Sequence, residues 1–174
     1  MEVVKGPNNS REEMLAHMVA QYEVKLLRTC YMYLHDRGLA EDAVQETFLK
    51  AYRALDSFRG ESSEKTWLMR IAMNTCRDMR RSAWFRFVDR QVEIDRLPLP
   101  AREAGFEEAD DLTQAILQLP PRHREVVVLY YYQDMTLREI ASVLDIPVST
   151  VGKRVKSACS RLKRILGKED FYGS

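Results

Sequence analysis

Between Pro147 and Lys168 the chain carries no Asp or Glu, while Thr150, Lys153, Arg154, Ser157, Arg161 and Arg164 recur there at helical spacing. Cations and hydroxyls along one helical face are the groups that hold phosphate oxygens and read base edges in a major groove. A second set, Arg70, Asn74, Arg77 and Arg81, stands at i, i+4, i+7 and i+11 with Trp67, Trp84, Phe85 and Phe87 beside it. Charge mixed with aromatic rings binds single strands by stacking and phosphate contact. A packed helix whose aromatics are simply core satisfies the same pattern.

Catalytic chemistry has no comparable constellation. Cys30, Cys76 and Cys159 are odd in number and widely spaced, with no C-x-x-C pair, which suits buried free thiols better than a metal or redox site. His17, His35 and His123 are scattered, and no Gly-rich phosphate loop occurs. The expectation is a protein that is not an enzyme and needs no metal or cofactor.

The elements that must position the basic groups follow from caps and apolar periods. Thr136-Leu137-Arg138-Glu139 fits a capping box, and Leu137, Ile140, Ala141 and Leu144 share one face of the helix it opens. Asp145-Ile146-Pro147 breaks that helix. Val148, Val151, Val155, Ala158, Leu162 and Ile165 then set the core-facing stripe of a longer one. A short helix, a tight turn and a basic helix form a helix-turn-helix. Helices at 111–118 and 121–132, joined by Leu119-Pro120-Pro121, complete a four-helix C-terminal module.

Upstream, Ser10-Arg11-Glu12-Glu13 fits a second capping box, and Leu15, Val19, Tyr22, Leu26, Cys30 and Leu34 keep a helical period until Asp36-Arg37-Gly38 stops it. A second helix spans about 40–55, with Ala40, Val44, Phe48, Ala51 and Leu55 inward. The polar stretch 56–63 is turn-rich, with a serine able to cap the next helix. That helix covers roughly 64–84, with Leu68, Ile71, Ala72, Thr75 and Met79 inward. The segment 87–110 holds Pro98 and Pro100, shows no sustained period and turns acidic through Glu93, Asp95, Glu103, Glu107, Glu108, Asp110 and Asp111, so it reads as a flexible linker. The expected fold is therefore all-α: two small helical domains, 10–86 and 111–168, between a disordered 1–9 and a tail at 169–174.

A net charge of +1 hides this segregation. Two basic modules around an acidic connector suit two contacts with one nucleic acid. The 174 residues are 45% apolar, enough for a core in each module. No membrane-length apolar run or signal-peptide stretch is present, so cytoplasmic localisation without membrane insertion is expected.

With these motifs in order, the sequence resembles the extracytoplasmic-function (ECF) group of bacterial RNA polymerase sigma factors. Asp42-Ala43-Val44-Gln45-Glu46-Thr47-Phe48 resembles the family's D-x-x-Q-E-x-F segment. Residues 51–60 and 66–75 are similar to its promoter-opening region. Leu119 to Val127 and Leu137 to Val151 resemble its second domain. The resemblance implies a dissociable initiation subunit with core RNA polymerase and promoter DNA as partners. It also implies an inhibitory anti-sigma factor, which can be membrane-anchored. It places Asp42, Gln45 and Glu46 against the polymerase clamp, and Ala54, Phe58 and Asn74 around a base flipped from the minus-ten element. Arg59, Trp67, Arg70, Arg77 and Arg81 adjoin that element. It assigns Ser149, Thr150, Lys153, Arg154, Ser157 and Arg161 to the minus-thirty-five duplex. One departure is Gly152, where relatives commonly carry a basic residue, so base preference does not transfer.

Two other readings fit parts of the pattern. An autonomous helix-turn-helix regulator would use the C-terminal module alone and spend the N-terminal helices on dimerisation or a ligand. A helical interaction scaffold would show no salt-dependent DNA affinity.

Overall fold

The computed structural model describes residues 7–89 and 111–167, and the side chains of all of these except 7–9 and 84–89. Helix α1 runs Pro7–Leu34, α2 Arg37–Ala54, α3 Glu64–Asp89, α4 Asp111–Leu117, α5 Pro121–Val127, α6 Leu137–Leu144 and α7 Val148–Leu166. A 3₁₀ turn, Leu55–Ser57, follows α2, and a π-helical turn, Val128–Tyr132, continues α5. The fold is all-α, in two helical domains.

Helix α1 starts a turn before the Ser10 capping box. Proline is tolerated in a first turn because its missing N–H would have no helical partner there. Residues 7–9, expected to be disordered, therefore belong to α1. Met18, Leu26 and Cys30 are its fully buried positions. Gly38 does not stop this helix. The reversal falls at His35, in the left-handed region at φ 54°, and Asp36 caps α2 by accepting the Leu39 N–H at 2.8 Å. Gly38 then lies inside the first turn of α2. Histidine visits the left-handed region more readily than branched residues, so no glycine is required at the turn.

Helix α2 buries Ala40, Ala43, Val44, Thr47, Phe48 and Ala51. Gly60, at φ 71°, makes the loop turn that a side chain would strain. Ser63 caps α3, its hydroxyl accepting the Thr66 N–H at 3.1 Å. Helix α3 continues through residues 87–89, expected to belong to the linker; 90–110 and the tail lie outside the described residues.

In the C-terminal module the capping box closes reciprocally. The Glu139 N–H donates to Thr136 Oγ1 at 3.2 Å, and the Thr136 N–H donates to Glu139 Oε2 at 2.7 Å. Asp145, left-handed at φ 53°, ends α6. Val151, Ala158 and Leu162 of α7 are fully buried, but Val148 and Ile165, expected to face inward, are 43% and 40% exposed. They occupy the two terminal turns, where the stripe runs past the helices that α7 packs across.

The two modules also pack on each other, α3 against α6, and α1 against α4, α5 and the π turn. Polar groups stitch this seam. Gln133 is buried and donates to Thr29 Oγ1 at 2.8 Å, while Arg124 donates to the Tyr33 carbonyl at 2.8 Å. Lys65 donates to the Gln133 carbonyl. Burial pushes the Arg124 pKa down, and repulsion from Arg80 adds to it.

Candidate nucleic-acid interface

The loop after α2 and the start of α3 enclose a cavity of about 450 Å³ lined by Ser57, Phe58, Arg59, Glu61, Ser62, Trp67, Arg70 and Ser142. Its apolar wall is a ring pair, Phe58 and Trp67, with centroids 4.8 Å apart and planes at 36°. Phe58 is held by its own N–H, which donates to the Leu55 carbonyl at 3.1 Å. Ala54 ends α2 just before this turn and accepts the Ser57 hydroxyl at 2.7 Å. Arg59 is exposed at the rim, and Asn74 is exposed one turn beyond Arg70 on α3. Apolar faces support a ring and an amide can read its edge, which is what capture of an unstacked base requires.

The arginine stripe of α3 divides into two environments. Arg81 is exposed. Arg70 Nε donates to the Ser142 carbonyl at 3.0 Å, and its guanidinium also bonds the Ser142 hydroxyl, so a residue of α6 contributes to the cavity lining. Arg77 donates through Nη2 and Nε to Glu125 Oε1 and Oε2 at 3.0 and 3.3 Å, and through Nη1 to the Leu144 carbonyl at 3.4 Å.

Helix α7 divides in the same way. Ser149 and Lys153 are exposed and Thr150 is half-buried. Arg154 turns back and donates to Glu125 Oε1 at 3.1 Å. Ser157 is exposed and bonds His123 Nε2 at 3.1 Å. Arg161 is exposed beside a shallow cleft of about 280 Å³ that includes Leu119, Pro120, Arg164 and Ile165. Burial, then Arg161 and Arg154, hold the His123 pKa below its ordinary value.

On α2, Asp42 and Gln45 are exposed and Glu46 is half-exposed, its carboxylate 3.9 Å from Lys50 Nζ. Leu49, 52% exposed, extends this face by one turn. Sequence reasoning passed over Leu49, although it falls off the stripe of Val44, Phe48 and Ala51. It also passed over Ser142 and Glu125. The one signal for Glu125 is that it is the only acid in 121–132. Among the described residues no cluster of three metal-ligating side chains occurs, and no helix is long and apolar enough to cross a membrane.

Comparison with known proteins bears on both modules. Residues 18–86 match the family model for sigma-70 region 2, and residues 115–164 match sigma-70 region 4. The chain is 31% identical to the ECF RNA polymerase sigma factor SigW of Bacillus subtilis, over 94% of this chain and 94% of that protein. The chain belongs to the ECF sigma factors. It is also 32% identical to the RNA polymerase sigma-H factor of Pseudomonas aeruginosa, over 86% of this chain and 84% of the relative. In fold, this sigma factor is similar to the sigma factor RpoE solved with the anti-sigma factor NepR from Bartonella quintana. There the TM-score is 0.77 at 23% identity, over 91% of this chain and 99% of the other. As an alternative sigma factor it binds core RNA polymerase and directs promoter-specific initiation. An autonomous helix-turn-helix regulator has no need of the region 2 match and is not favoured.

Proposed function

We propose that this sigma factor divides promoter recognition between its modules, with residues 10–86 serving polymerase docking and the minus-ten element and residues 111–168 serving the minus-thirty-five element. The face of Asp42, Gln45, Glu46 and Leu49 docks on the polymerase. Its acid and amide groups suit a basic partner surface, and Leu49 supplies exposed apolar area one turn further along the same helix. The cavity walled by Phe58 and Trp67 accepts one base from the minus-ten strand, Asn74 reads its edge, and Arg59, Arg70, Arg77 and Arg81 hold the backbone. Helix α7 enters the upstream major groove by its N-terminal end, with Ser149, Thr150 and Lys153 leading and Arg154, Ser157 and Arg161 following.

The observation that carries this reading is the ring pair at 4.8 Å walling a cavity that Arg59 and Arg70 also line. Capturing one base offsets a few kcal/mol of unstacking through pocket contacts, so opening needs no ATP. The protein's part is then to recruit and melt rather than to catalyse, and it works in the cytoplasm. An inhibitory partner of the anti-sigma kind belongs to this reading, by likeness to the NepR-bound structure.

Permanganate reactivity of the bubble thymines, with holoenzyme on duplex and pre-melted templates, tests the assignment. Phe58→Ala and Asn74→Ala should form closed complexes, open them poorly, and be rescued by a pre-melted minus-ten bubble. Normal opening of duplex promoters by both variants would reduce the loop to a connector.

A further inference from the structure

We propose that Arg11 and Tyr22 of α1 are positioning residues for base capture, each fixing one wall of the minus-ten cavity from outside it. The inference rests on the base-capture reading of the Phe58–Trp67 cavity given above. Neither residue lines that cavity. They stand 11 residues apart, close to three full turns, so both face the same side of α1 at a separation of about 16 Å.

Arg11 serves the Phe58 wall. The last carbonyls of a helix lack partners within it, and a cation there also meets the negative end of the helix dipole. Arg11 answers both needs at the end of α2. Its Nη2 donates to the Tyr52 carbonyl at 2.8 Å, and its guanidinium lies 5.0 Å from the Tyr52 ring centroid. The same carbonyl accepts the Leu55 N–H, the bond that tightens the chain into the 3₁₀ turn. Arg11 Nη1 donates to Asp56 Oδ2 at 2.9 Å, so one guanidinium spans the turn from which Phe58 emerges two residues later.

Tyr22 serves the other wall. It is buried, and its hydroxyl donates to the Glu64 carboxylate in the first turn of α3. Burial, then the Glu64 charge, push its pKa up, so the hydroxyl keeps the proton it donates. Trp67 follows one turn on, its N–H donating to the Ser63 carbonyl at 3.0 Å. Residues 57–63 run between the two anchors with Phe58 as their one apolar side chain, so packing within the loop does not set its shape. The spacing of Phe58 from Trp67 is inherited from α1. Walls already in place accept an unstacked base without first being ordered.

Double-mutant cycles in holoenzyme test this, with permanganate reactivity of the bubble thymines measured on promoters substituted base by base through the minus-ten element. Arg11→Ala should open duplex promoter about 10-fold more slowly than wild type, a coupling of the size that residues in one network show. It should also flatten the preference among the four bases at one minus-ten position and be rescued by a pre-melted bubble. Arg11→Lys keeps the charge but loses the two-pronged reach, so it should restore opening only in part. Because Arg11 acts through the Phe58 wall, Arg11→Ala should add nothing to Phe58→Ala, whereas independent defects would multiply. Tyr22→Phe removes one hydroxyl from a buried ring; it should flatten the same preference and add nothing to Trp67→Ala, which keeps the proposal testable if Arg11→Ala fails to fold. Defects that multiply, or a lowered melting temperature with unchanged base preference, would make both residues ordinary packing contacts and overturn the proposal. Normal opening by Arg11→Ala and Tyr22→Phe beside a defective Phe58→Ala would overturn the bracing and leave base capture standing. Normal opening by Phe58→Ala itself would place the fault in the base-capture reading.

Discussion

Replacing Gly152 with alanine should stabilise the protein without harming promoter recognition. A glycine in a helix interior is less favourable than alanine by up to about 1 kcal/mol, chiefly through backbone entropy. The added methyl would meet one neighbour, Leu137 Cδ1 at 3.9 Å, which is ordinary van der Waals contact, so no overpacking subtracts from the gain. That neighbour belongs to α6, so the methyl points into the helix-turn-helix angle while Ser149 and Lys153 stay exposed. A change of about 1 kcal/mol shifts the melting temperature of a chain of 150–250 residues by roughly 2–4 °C, and a calorimetric scan resolves this. Affinity of the holoenzyme for matched upstream elements should stay within experimental error of wild type. A lowered melting temperature would refute the packing argument. A raised one with lost upstream affinity would show that the backbone at 152 approaches DNA too closely for a methyl group.

Glu46→Lys should weaken binding to core polymerase about 10–100-fold, about 1.4–2.8 kcal/mol, because it turns a favourable charge into a repulsive one across the interface. The cation beside it, Lys50, is as far as 3.9 Å away, so the fold should hold, and undiminished competition for core polymerase by the folded variant would exclude this face. Lys153→Ala should lower the salt slope of upstream-element binding by about 1 if the lysine clamps phosphate. If it reads a base, the variant should lose roughly 1–3 kcal/mol of discrimination instead. Wild-type transcription on matched and scrambled elements would reject both roles. Acid should destabilise the free protein, because His35 and His123 both have folded pKa values below the ordinary 6.5. Burial is the first cause in each, reinforced by Arg124 at His35 and by Arg161 and Arg154 at His123. Their neutral forms favour folding above pH 6.5, and that contribution is lost as pH falls through the lowered values. Thermal melts from pH 7.5 to 5 should show the decline, and an undiminished slope in His35→Asn/His123→Gln would assign it elsewhere.

What the sequence disclosed was local. The Thr136 capping box, the Ser63 cap and the buried stripe of α2 are set by neighbours three or four residues away, and each stands where its pattern places it. The misreadings arise where two local signals compete or where a pattern meets the edge of a module. Of the stretch Asp36-Arg37-Gly38 that the pattern marks as the stop, Asp36 acts, as the cap of the next helix, while the reversal falls one residue earlier, at His35. Val148 and Ile165 keep the period of α7 but run out of partners. Glu125 is illegible for a deeper reason. Its bond to Arg77 joins residues 48 apart, and helical periodicity identifies a buried face without saying which face of another module will cover it.

That separation has a consequence during synthesis. The connection between α1 and α2 is only His35 and Asp36, so the N-terminal module is built from contacts close in sequence and can fold as it leaves the ribosome. Arg70 and Arg77 emerge with it, while Glu125 is added 48 residues after Arg77, roughly 2–10 s later at bacterial elongation rates. For that interval each nascent chain displays an uncovered, cation-lined α3. A newly made molecule therefore lacks the Arg77–Glu125 contact between its modules until the C-terminal one has been made.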